Sequence, residues 1–417
     1  MDRPTRREYV TYGGALLGSG ILAGCGGSEG DSGSTPTETT AVSDGAEAAT
    51  AAPETAETTT VESELEPRDG PYTVEMSPMG EVRFEERPER VFSVLSHHTD
   101  MALSVGRHDD LVSDYAPGYT DSLMAAFTPR LEGVEFDLSE LFASWNPPKE
   151  QLYELDSDIH LADPASVLTM GNWSQDDIAE IADNVAPWFG NTLSDQHTEP
   201  PASYSDYRYY TLWEIFGKVA SALDERARYR ALRSVYDDLR ATVDEGLPAE
   251  GDRPSVAMVL PSTSDDSMWA YKVNAPGYHA SHIRPLGTLD AMDGVDVDNG
   301  AQVDAETLVA ADPDILVILG GLVDYHDIDG VRADLEDDPV ASQVTAVQED
   351  RVYPQGTRHQ GPLVNLFQLE ASAKQCYPEA FGAWPEDDGN NVYPEIPESE
   401  RLFDYDRVAS IIRGDFE

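Results

Sequence analysis

The sequence is poor in cations, and this shortage excludes one large class of partner. Only 27 of its 417 residues are Lys or Arg, against 79 Asp or Glu, and the formal net charge is −52. Nucleic-acid binding needs a basic footprint, so we expect no nucleic-acid partner. Calcium binding is not favoured either, because no D-x-D-x-D-G loop occurs. The even spread of acids instead indicates a halophilic protein, since high salt screens their mutual repulsion.

The motifs of common enzyme classes are also missing from the part of the chain that can fold. Beyond residue 70 there is no G-x-S-x-G, no H-E-x-x-H, no P-loop and no paired-cysteine motif. Ser and His are plentiful but form no recognisable catalytic arrangement. We therefore expect a protein that is not an enzyme, with no catalytic residue, no intrinsic cofactor and no resident metal.

Cysteine is scarce, and one of the two cysteines belongs to an export signal. Cys25 ends the run Leu-Ala-Gly-Cys, a lipoprotein cleavage box in which the cysteine receives the lipid. Upstream lie the twin arginines Arg6 and Arg7 and an apolar stretch shorter than the roughly 20 residues that span a bilayer. We predict a twin-arginine (Tat) lipoprotein signal over 1–25. The alternative, a short membrane helix with an incidental cysteine, is disfavoured by the order of these features. Cys376 then has no disulfide partner and is expected to be buried on a helix.

Large apolar side chains are almost absent from residues 26–70. Such a composition does not bury enough surface to offset chain entropy, so we expect a disordered acidic Thr/Ser/Gly linker. It would act as a tether between the membrane and the folded part. The rest of the chain is long enough for two domains.

A helical pattern occupies the middle of the chain, and similar sequence flanks it. Apolar residues recur at steps of three and four over 209–247, which predicts a linking helix. A break near Asp224 would leave its second half about 30 Å long, at about 1.5 Å per residue. Residues 150–159 and 306–315 both read E-x-L-x-x-x-D-x-D-I, followed by an apolar run. Each copy predicts a short helix, a turn and a buried strand, and the repetition predicts duplicated architecture.

Strands and helices alternate on both sides of the linking helix. This predicts an α/β fold of two Rossmann-like lobes, with parallel-rich sheets flanked by helices, joined by one long α-helix. The N-terminal lobe is expected over 71–208 and the C-terminal lobe over 253–384, with a helix near 280–289 in the latter. An acidic C-terminal tail follows over 385–417, with one helix near 405–412.

The order of these features resembles a known family. Glu86-Arg-Pro-Glu-Arg-Val leads into a strand, the two repeats flank a bridging helix, and Asp350-Arg-Val-Tyr precedes the last helix. This combination resembles the substrate-binding proteins of iron-siderophore and cobalamin ABC importers, the class III periplasmic-binding-protein family. The resemblance covers roughly residues 70 to 382, and it implies helix-linked lobes with a ligand cleft between them.

The resemblance also implies two docking residues. In that family a glutamate of each lobe docks into arginine pockets of the permease, and the matching positions are Glu150 and Glu306. The alternative is that each glutamate only favours the positive end of its own helix. The first repeat departs from the pattern, with Ser157 where the second has Pro313.

Aromatic, His and Arg side chains follow the predicted strands, where open α/β sheets bind ligands. They suit a bulky, partly apolar ligand that is anionic or bears a metal, because rings give contact area and arginine neutralises ligand oxygens. Lobe packing and helix capping are the alternatives, and His279 with His282 lacks the acidic or cysteine partner that a metal site needs. The candidate ligand-binding residues are His97, His98, Trp145, Trp173, Trp269, Tyr271, Tyr278, Arg284, Arg358 and His359.

We therefore expect a monomeric, lipid-anchored receptor on the extracytoplasmic face of the cell membrane. It would capture a ferric siderophore or similar iron(III) chelate and deliver it to an ABC permease and its ATPase, which makes iron transport its role. Haem, cobalamin or a bare transition metal are rival ligands of the same fold. A surface sensor without a transport partner is the remaining alternative.

Overall fold

The computed structural model describes residues 67–265, 267–323, 326–385 and 393–416. Arg6, Arg7 and Cys25, with the export signal and the lipidation site predicted there, lie outside the described residues. The strands are β1 Tyr72–Met76, β2 Gly80–Phe84, β3 Val91–Ser93, β4 Ser113–Asp114, β5 Phe142–Ala143, β6 Ile159–Leu161, β7 Ser255–Pro261, β8 Met268–Tyr271, β9 Leu289–Asp290, β10 Ala301–Val303, β11 Ile315–Ile318 and β12 Val352–Pro354. The helices are α1 Ser96–Ser104, α2 Pro117–Phe127, α3 Lys149–Leu155, α4 Pro164–Val167, α5 Gln175–Asn184, α6 Leu212–Ala222, α7 Arg226–Gly246, α8 Ala305–Ala311, α9 Ile328–Asp337, α10 Thr345–Gln348, α11 Pro362–Cys376, α12 Pro378–Phe381 and α13 Tyr405–Arg413.

Two separate parallel-rich sheets confirm the predicted α/β fold. In the first, β3 pairs with β6 and β4 pairs with β5, and a parallel bridge from Val91 to Leu111 connects the two pairs. In the second, the order is β10-β8-β7-β11-β12, with β9 beside β7. Strands β7, β11 and β12 are parallel, whereas β8 pairs antiparallel with β7, and β10 pairs antiparallel with β8. The hairpin β1–β2 precedes the first sheet.

The repeated sequence has the same local structure in both sheets. Helices α3 and α8 each end at an aspartate in the left-handed region, Asp156 with φ 47° and Asp312 with φ 41°. Two residues later, the Asp158 carboxylate accepts the backbone N–H groups of Glu89 and Arg90, each at 2.9 Å. Asp314 likewise accepts from the N–H of Ser255 at 2.7 Å. Each second aspartate thus holds the start of the neighbouring parallel strand, which explains why the motif recurs.

The two repeats pack into different apolar clusters. Leu152 of the first repeat lies with Phe92 and Trp188 against the first sheet. Leu308 of the second repeat lies with Leu316 on one face of the second sheet. A third cluster, centred on α6, α7 and α11, contacts both halves. The lobes therefore have separate outer cores and share a helical layer between them.

The linking helix predicted over 209–247 is broken into two helices, as the possible break near Asp224 allowed. Helix α6 ends at Ala222 and α7 begins at Arg226, with Asp224 at φ 55° between them. The Asp224 carboxylate accepts from the backbone N–H of Arg68 at 2.7 Å. The two helices then fold back on each other instead of forming one rod. The ring of Trp213 stacks on that of Tyr236 at 4.3 Å between centroids.

Gly217, the weak point of the predicted rod, has a role in this hairpin. A Cβ at this position would lie 2.8 Å from the ring of Tyr229. Such contacts are shorter than real Cβ atoms show, so the absence of a side chain permits the close approach of the two helices. Helix α7, with 21 residues, then has the length of about 30 Å expected for the second half, at about 1.5 Å per residue.

One other local prediction differs from the structure, and two are confirmed. The helix expected near 280–289 is wrong, since this stretch forms short 3-10 turns at Tyr278–Ala280 and Arg284–Leu286 and then β9. The helix expected near 405–412 is present as α13. Cys376 is buried and unpaired at the end of α11, as expected.

The described part of the C-terminal tail is folded onto the core. Tyr393, Tyr405 and Ile411 are each at most 1% exposed. The backbone N–H of Tyr393 donates to Ala126 O at 2.8 Å, which attaches the segment to α2. This segment, predicted only as an acidic tail with one helix, therefore belongs to the globular part.

Candidate ligand-binding site between the lobes

Loops that follow strands of both sheets meet between the lobes. His97 and His98 lie at the start of α1, directly after β3. From the second half come His359, after β12, and Tyr278 in a 3-10 turn. The ring of His97 lies 3.9 Å from that of His98, 5.1 Å from that of Tyr278 and 6.1 Å from that of His359, between centroids. We call His97, His98, Tyr278 and His359 the inter-lobe cluster.

The polar atoms of this cluster are buried with few partners. Both ring nitrogens of His97 and His359, and the hydroxyl of Tyr278, have no hydrogen-bond partner among the described residues. A buried polar group without a partner costs about 1–3 kcal/mol. Several such groups face one another between the two lobes, and a water, an ion or a ligand would satisfy them.

Burial keeps these imidazoles neutral. Burial lowers the pKa of His98 to about 3. Burial, and then the neighbouring His98 and His359, hold the pKa of His97 well below its usual range. The pKa of His359 is lowered well below its usual range too, by burial and then by Arg358. A neutral imidazole offers one N–H donor and one nitrogen lone pair, which accepts a hydrogen bond or binds a metal.

An ion pair lies beside the cluster and joins the lobes. Nη1 of Arg358, next to His359, lies 3.3 Å from Oδ2 of Asp195, and both side chains are buried. The guanidinium also lies over the ring of Tyr271, 5.3 Å from its centroid. The carbonyl oxygen of Asp195 lies 2.7 Å from Nδ1 of His279. Asp195 therefore holds two segments of the second half against the first.

Sequence reasoning missed Asp195. It lies in the run Thr-Leu-Ser-Asp-Gln-His, which has no strand or motif to mark it. Its partner is 163 residues away in the chain, so the pair is created only by folding. No local signal in the sequence could have identified it as the partner of Arg358.

Sequence reasoning also missed Asp100, which links the helix carrying His97 and His98 to the second half of the chain. Asp100 of α1 accepts the N–H of Leu363 at 3.2 Å and that of Val364 at 3.1 Å, in the first turn of α11. Close by, the hydroxyl of Ser96 donates to the carbonyl of His359 at 3.0 Å. These bonds set the position of α1, and hence of its histidines, relative to the loop after β12.

Four predicted ligand residues lie elsewhere. Trp173 packs edge-on against Trp188 in the apolar cluster of the first sheet, and Trp145 borders the same cluster. Trp269 is half-buried on β8, paired in register with Leu260. Arg284 donates to the carbonyls of Ala275 and Gly277, so it shapes the loop that leads into Tyr278. The three tryptophans pack against apolar clusters, and backbone hydrogen bonds hold Arg284.

His279 and His282 do not lie on one helix, because His279 is in the 3-10 turn Tyr278–Ala280 and His282 lies between this turn and the next, Arg284–Leu286. Nδ1 of His282 lies 2.7 Å from Nε2 of Gln360, and Nδ1 of His279 faces Asp195. Within the part of the chain that the structure describes, no group of three or more His, Cys, Asp or Glu has a metal-binding arrangement.

The two glutamates expected to dock on a permease are exposed at equivalent places. Glu150 lies in the first turn of α3 and Glu306 in the first turn of α8. Both are solvent-exposed. Their equivalence follows from the repeat, since both helices precede an inner parallel strand. Among the described helices, none is long and apolar enough to cross a bilayer.

Solved structures share this fold, although no family model matches the sequence and no curated protein matches it. A periplasmic solute-binding protein from Veillonella parvula is 14% identical, with a TM-score of 0.53, covering 82% of this chain and 100% of that one. CeuE from Helicobacter pylori, with Ni(II) bound, is 13% identical, with a TM-score of 0.52, covering 79% and 98%. The iron uptake ABC transporter substrate-binding protein PiuA from Streptococcus pneumoniae is 14% identical, with a TM-score of 0.50, covering 75% and 98%. At these identities the likeness shows a common fold.

Proposed function

We propose that the protein is a non-catalytic receptor that captures an iron(III) chelate, such as a ferric siderophore, and delivers it to an ABC permease. The observation that carries this proposal is the inter-lobe cluster, where unpartnered imidazoles and a phenol face one another between two lobes. The fold supports it, because several proteins that share it are solute-binding proteins, and one belongs to iron uptake.

The chemistry of the cluster fits a chelate. Flat rings offer stacking area to the organic part of a ligand, while imidazole and phenol groups donate to its oxygens. The side chains of the inter-lobe cluster are buried, which implies that the cleft opens to admit the ligand. A helical hairpin and a shared helical layer between the lobes favour a small opening over a wide hinge motion.

Delivery would use the exposed pair Glu150 and Glu306. One carboxylate on each lobe lets a partner with two basic pockets sense the separation of the lobes. In this proposal the chain acts as a monomer at the extracytoplasmic face, anchored by lipid at Cys25. Haem, cobalamin or a bare transition metal remain the rival ligands, and the Ni(II) bound to CeuE is the reason to include a metal in the test.

The test is a binding titration with the mature chain in molar salt. Ferric siderophores, haem, cobalamin and Ni²⁺ are each added, and binding is followed by fluorescence quenching and by equilibrium dialysis. We expect one ferric siderophore to bind saturably at micromolar concentration. Failure of every siderophore, with saturable binding of Ni²⁺, haem or cobalamin, would replace the chelate by that ligand.

A matched pair of variants locates the site. Tyr278→Phe removes a hydroxyl that has no partner among the described residues, so the fold should tolerate it while chelate affinity falls. Tyr153→Phe removes an exposed hydroxyl that donates to Glu180 at 3.0 Å. It should leave affinity unchanged. Equal affinities of both variants and the parent would place the ligand away from the cluster.

A further inference from the structure

The charge of the inter-lobe site limits which chelates it accepts. This inference rests on the proposed function and narrows the class of its ligand. We propose that the cleft takes ferric chelates with no net negative charge, of the trihydroxamate type, and discriminates against trianionic tricatecholates. The argument depends on which charges the folded chain has already paired.

The cation nearest the cluster is already neutralised. Arg358 pairs with Asp195 at 3.3 Å, with side chains 8% and 7% exposed. The Arg358 guanidinium also lies over the ring of Tyr271. Such a buried pair sums to zero charge, and removing one partner would leave the other uncompensated. A ligand anion would therefore have to compete with Asp195 for Arg358.

The second arginine of this region is also engaged. Arg284 donates to the carbonyl of Gly277 at 2.9 Å and to that of Ala275. Its guanidinium thus binds the backbone of the loop before Tyr278 instead of facing the cluster. The two arginines that were expected to neutralise ligand oxygens are therefore both committed within the protein.

The remaining groups add no positive charge. The imidazoles of His97, His98 and His359 are neutral because of their burial. A further buried carboxylate, Asp163, acts electrostatically on Tyr278, and its Oδ2 accepts from the hydroxyl of Tyr207 at 2.5 Å. The site therefore offers neutral donors in a surrounding that is neutral or slightly negative.

A trianion would enter this site at a high cost. Removing charge from water without a partner costs many times what a lost hydrogen bond costs. A ferric trihydroxamate has no net charge, and its oxygens need only the N–H and O–H donors that the cluster supplies. The site thus selects against negative charge, although ligand shape and size are set elsewhere.

The experiment compares two chelates of similar size on the mature chain in molar salt. The probes are ferrichrome, a neutral ferric trihydroxamate, and ferric enterobactin, a trianionic tricatecholate. We expect ferrichrome to bind at least about tenfold more tightly. Equal or tighter binding of ferric enterobactin would overturn this inference and leave the receptor function intact. If neither probe nor any other ferric chelate binds, both proposals fail.

A variant tests the part played by Asp195. Asp195→Asn removes the carboxylate and frees Arg358, so affinity for ferric enterobactin should rise about tenfold relative to ferrichrome. Glu336→Gln removes an equal charge at an exposed position of α9 and should change neither affinity. An unchanged ratio in a folded Asp195→Asn protein would show that Asp195 does not set the selection. If circular dichroism shows that this variant does not fold, the relative affinity of the parent chain for the two probes decides whether the site selects against negative charge.

Discussion

Replacement of Glu370 tests whether the C-terminal segment belongs to the cooperative core. Glu370 lies on α11 and is fully buried. One carboxylate oxygen accepts from the hydroxyl of Tyr393 at 2.7 Å and from the hydroxyl of Tyr405. The other accepts from the backbone N–H of Leu402 at 2.5 Å. We consider Glu370→Leu, which removes all three acceptor contacts at nearly constant volume.

The expected loss follows from these three contacts. A hydrogen bond to a charged group contributes about 1.5–3 kcal/mol, so the gross loss is roughly 5–9 kcal/mol. Burial of the carboxylate itself costs several kcal/mol, and the substitution removes this cost. We therefore expect a net loss of about 3 kcal/mol in the free energy of unfolding. Glu370→Gln keeps one acceptor oxygen and should lose about 1 kcal/mol.

Urea unfolding in molar salt, followed by circular dichroism, measures both variants. Glu398→Gln, at an exposed position of the same segment's 3-10 turn, is the control and should change the unfolding free energy by less than about 0.5 kcal/mol. Limited proteolysis should cleave the Leu variant first within 393–416. A Glu370→Leu protein as stable as the parent would refute the reasoning and show that residues 393–416 do not belong to the cooperative core.

Three further predictions concern docking, pH and anchoring. Glu150→Ala with Glu306→Ala should leave chelate affinity unchanged and abolish uptake by cells; an equal loss of binding would place them in the site. Burial raises the pKa of Asp100 from 3.8 to about 6, so its stabilising contribution is complete below about pH 4 and is lost as the pH rises through 6. At about 1.4 kcal/mol per unit, the stability difference between the parent and Asp100→Asn should fall by about 3 kcal/mol between pH 4 and 7. A difference that does not change with pH would contradict the shift. Cys25→Ser should release the protein into the medium, and continued membrane retention would argue against the lipid anchor.

The repeated motif shows how far local sequence can carry a structural prediction. In both copies the first aspartate ends a helix in the left-handed region, and the second binds the backbone next to a neighbouring strand. These interactions follow from spacing within ten residues, so the pattern alone predicted helix, turn and strand. The helix expected near 405–412 is likewise present, as α13.

The linking helix shows where periodicity stops being sufficient. No proline interrupts residues 209–246, so the sequence is compatible with one rod or with two helices. The stacking of Trp213 on Tyr236 and the contact of Gly217 with Tyr229 select the hairpin. These contacts join side chains and backbone of α6 to side chains of α7. They stabilise the protein only once the chain has folded back on itself.

By itself, the sequence determined the α/β class, the duplicated units, the exposed glutamates at matching helix starts and the strand-following positions of His97, His98, Tyr278 and His359. Each of these depends on periodicity, caps or turns among near neighbours in the chain. Tertiary structure alone decided that Arg358 meets Asp195 and that Arg284 turns to its own loop. It also decided that the acidic C-terminal segment is buried against Glu370. The physical reason is that charge pairing and burial depend on distances in space. Arg358 and Asp195, for example, are 163 positions apart in the chain, and only the packing of the whole chain brings them together.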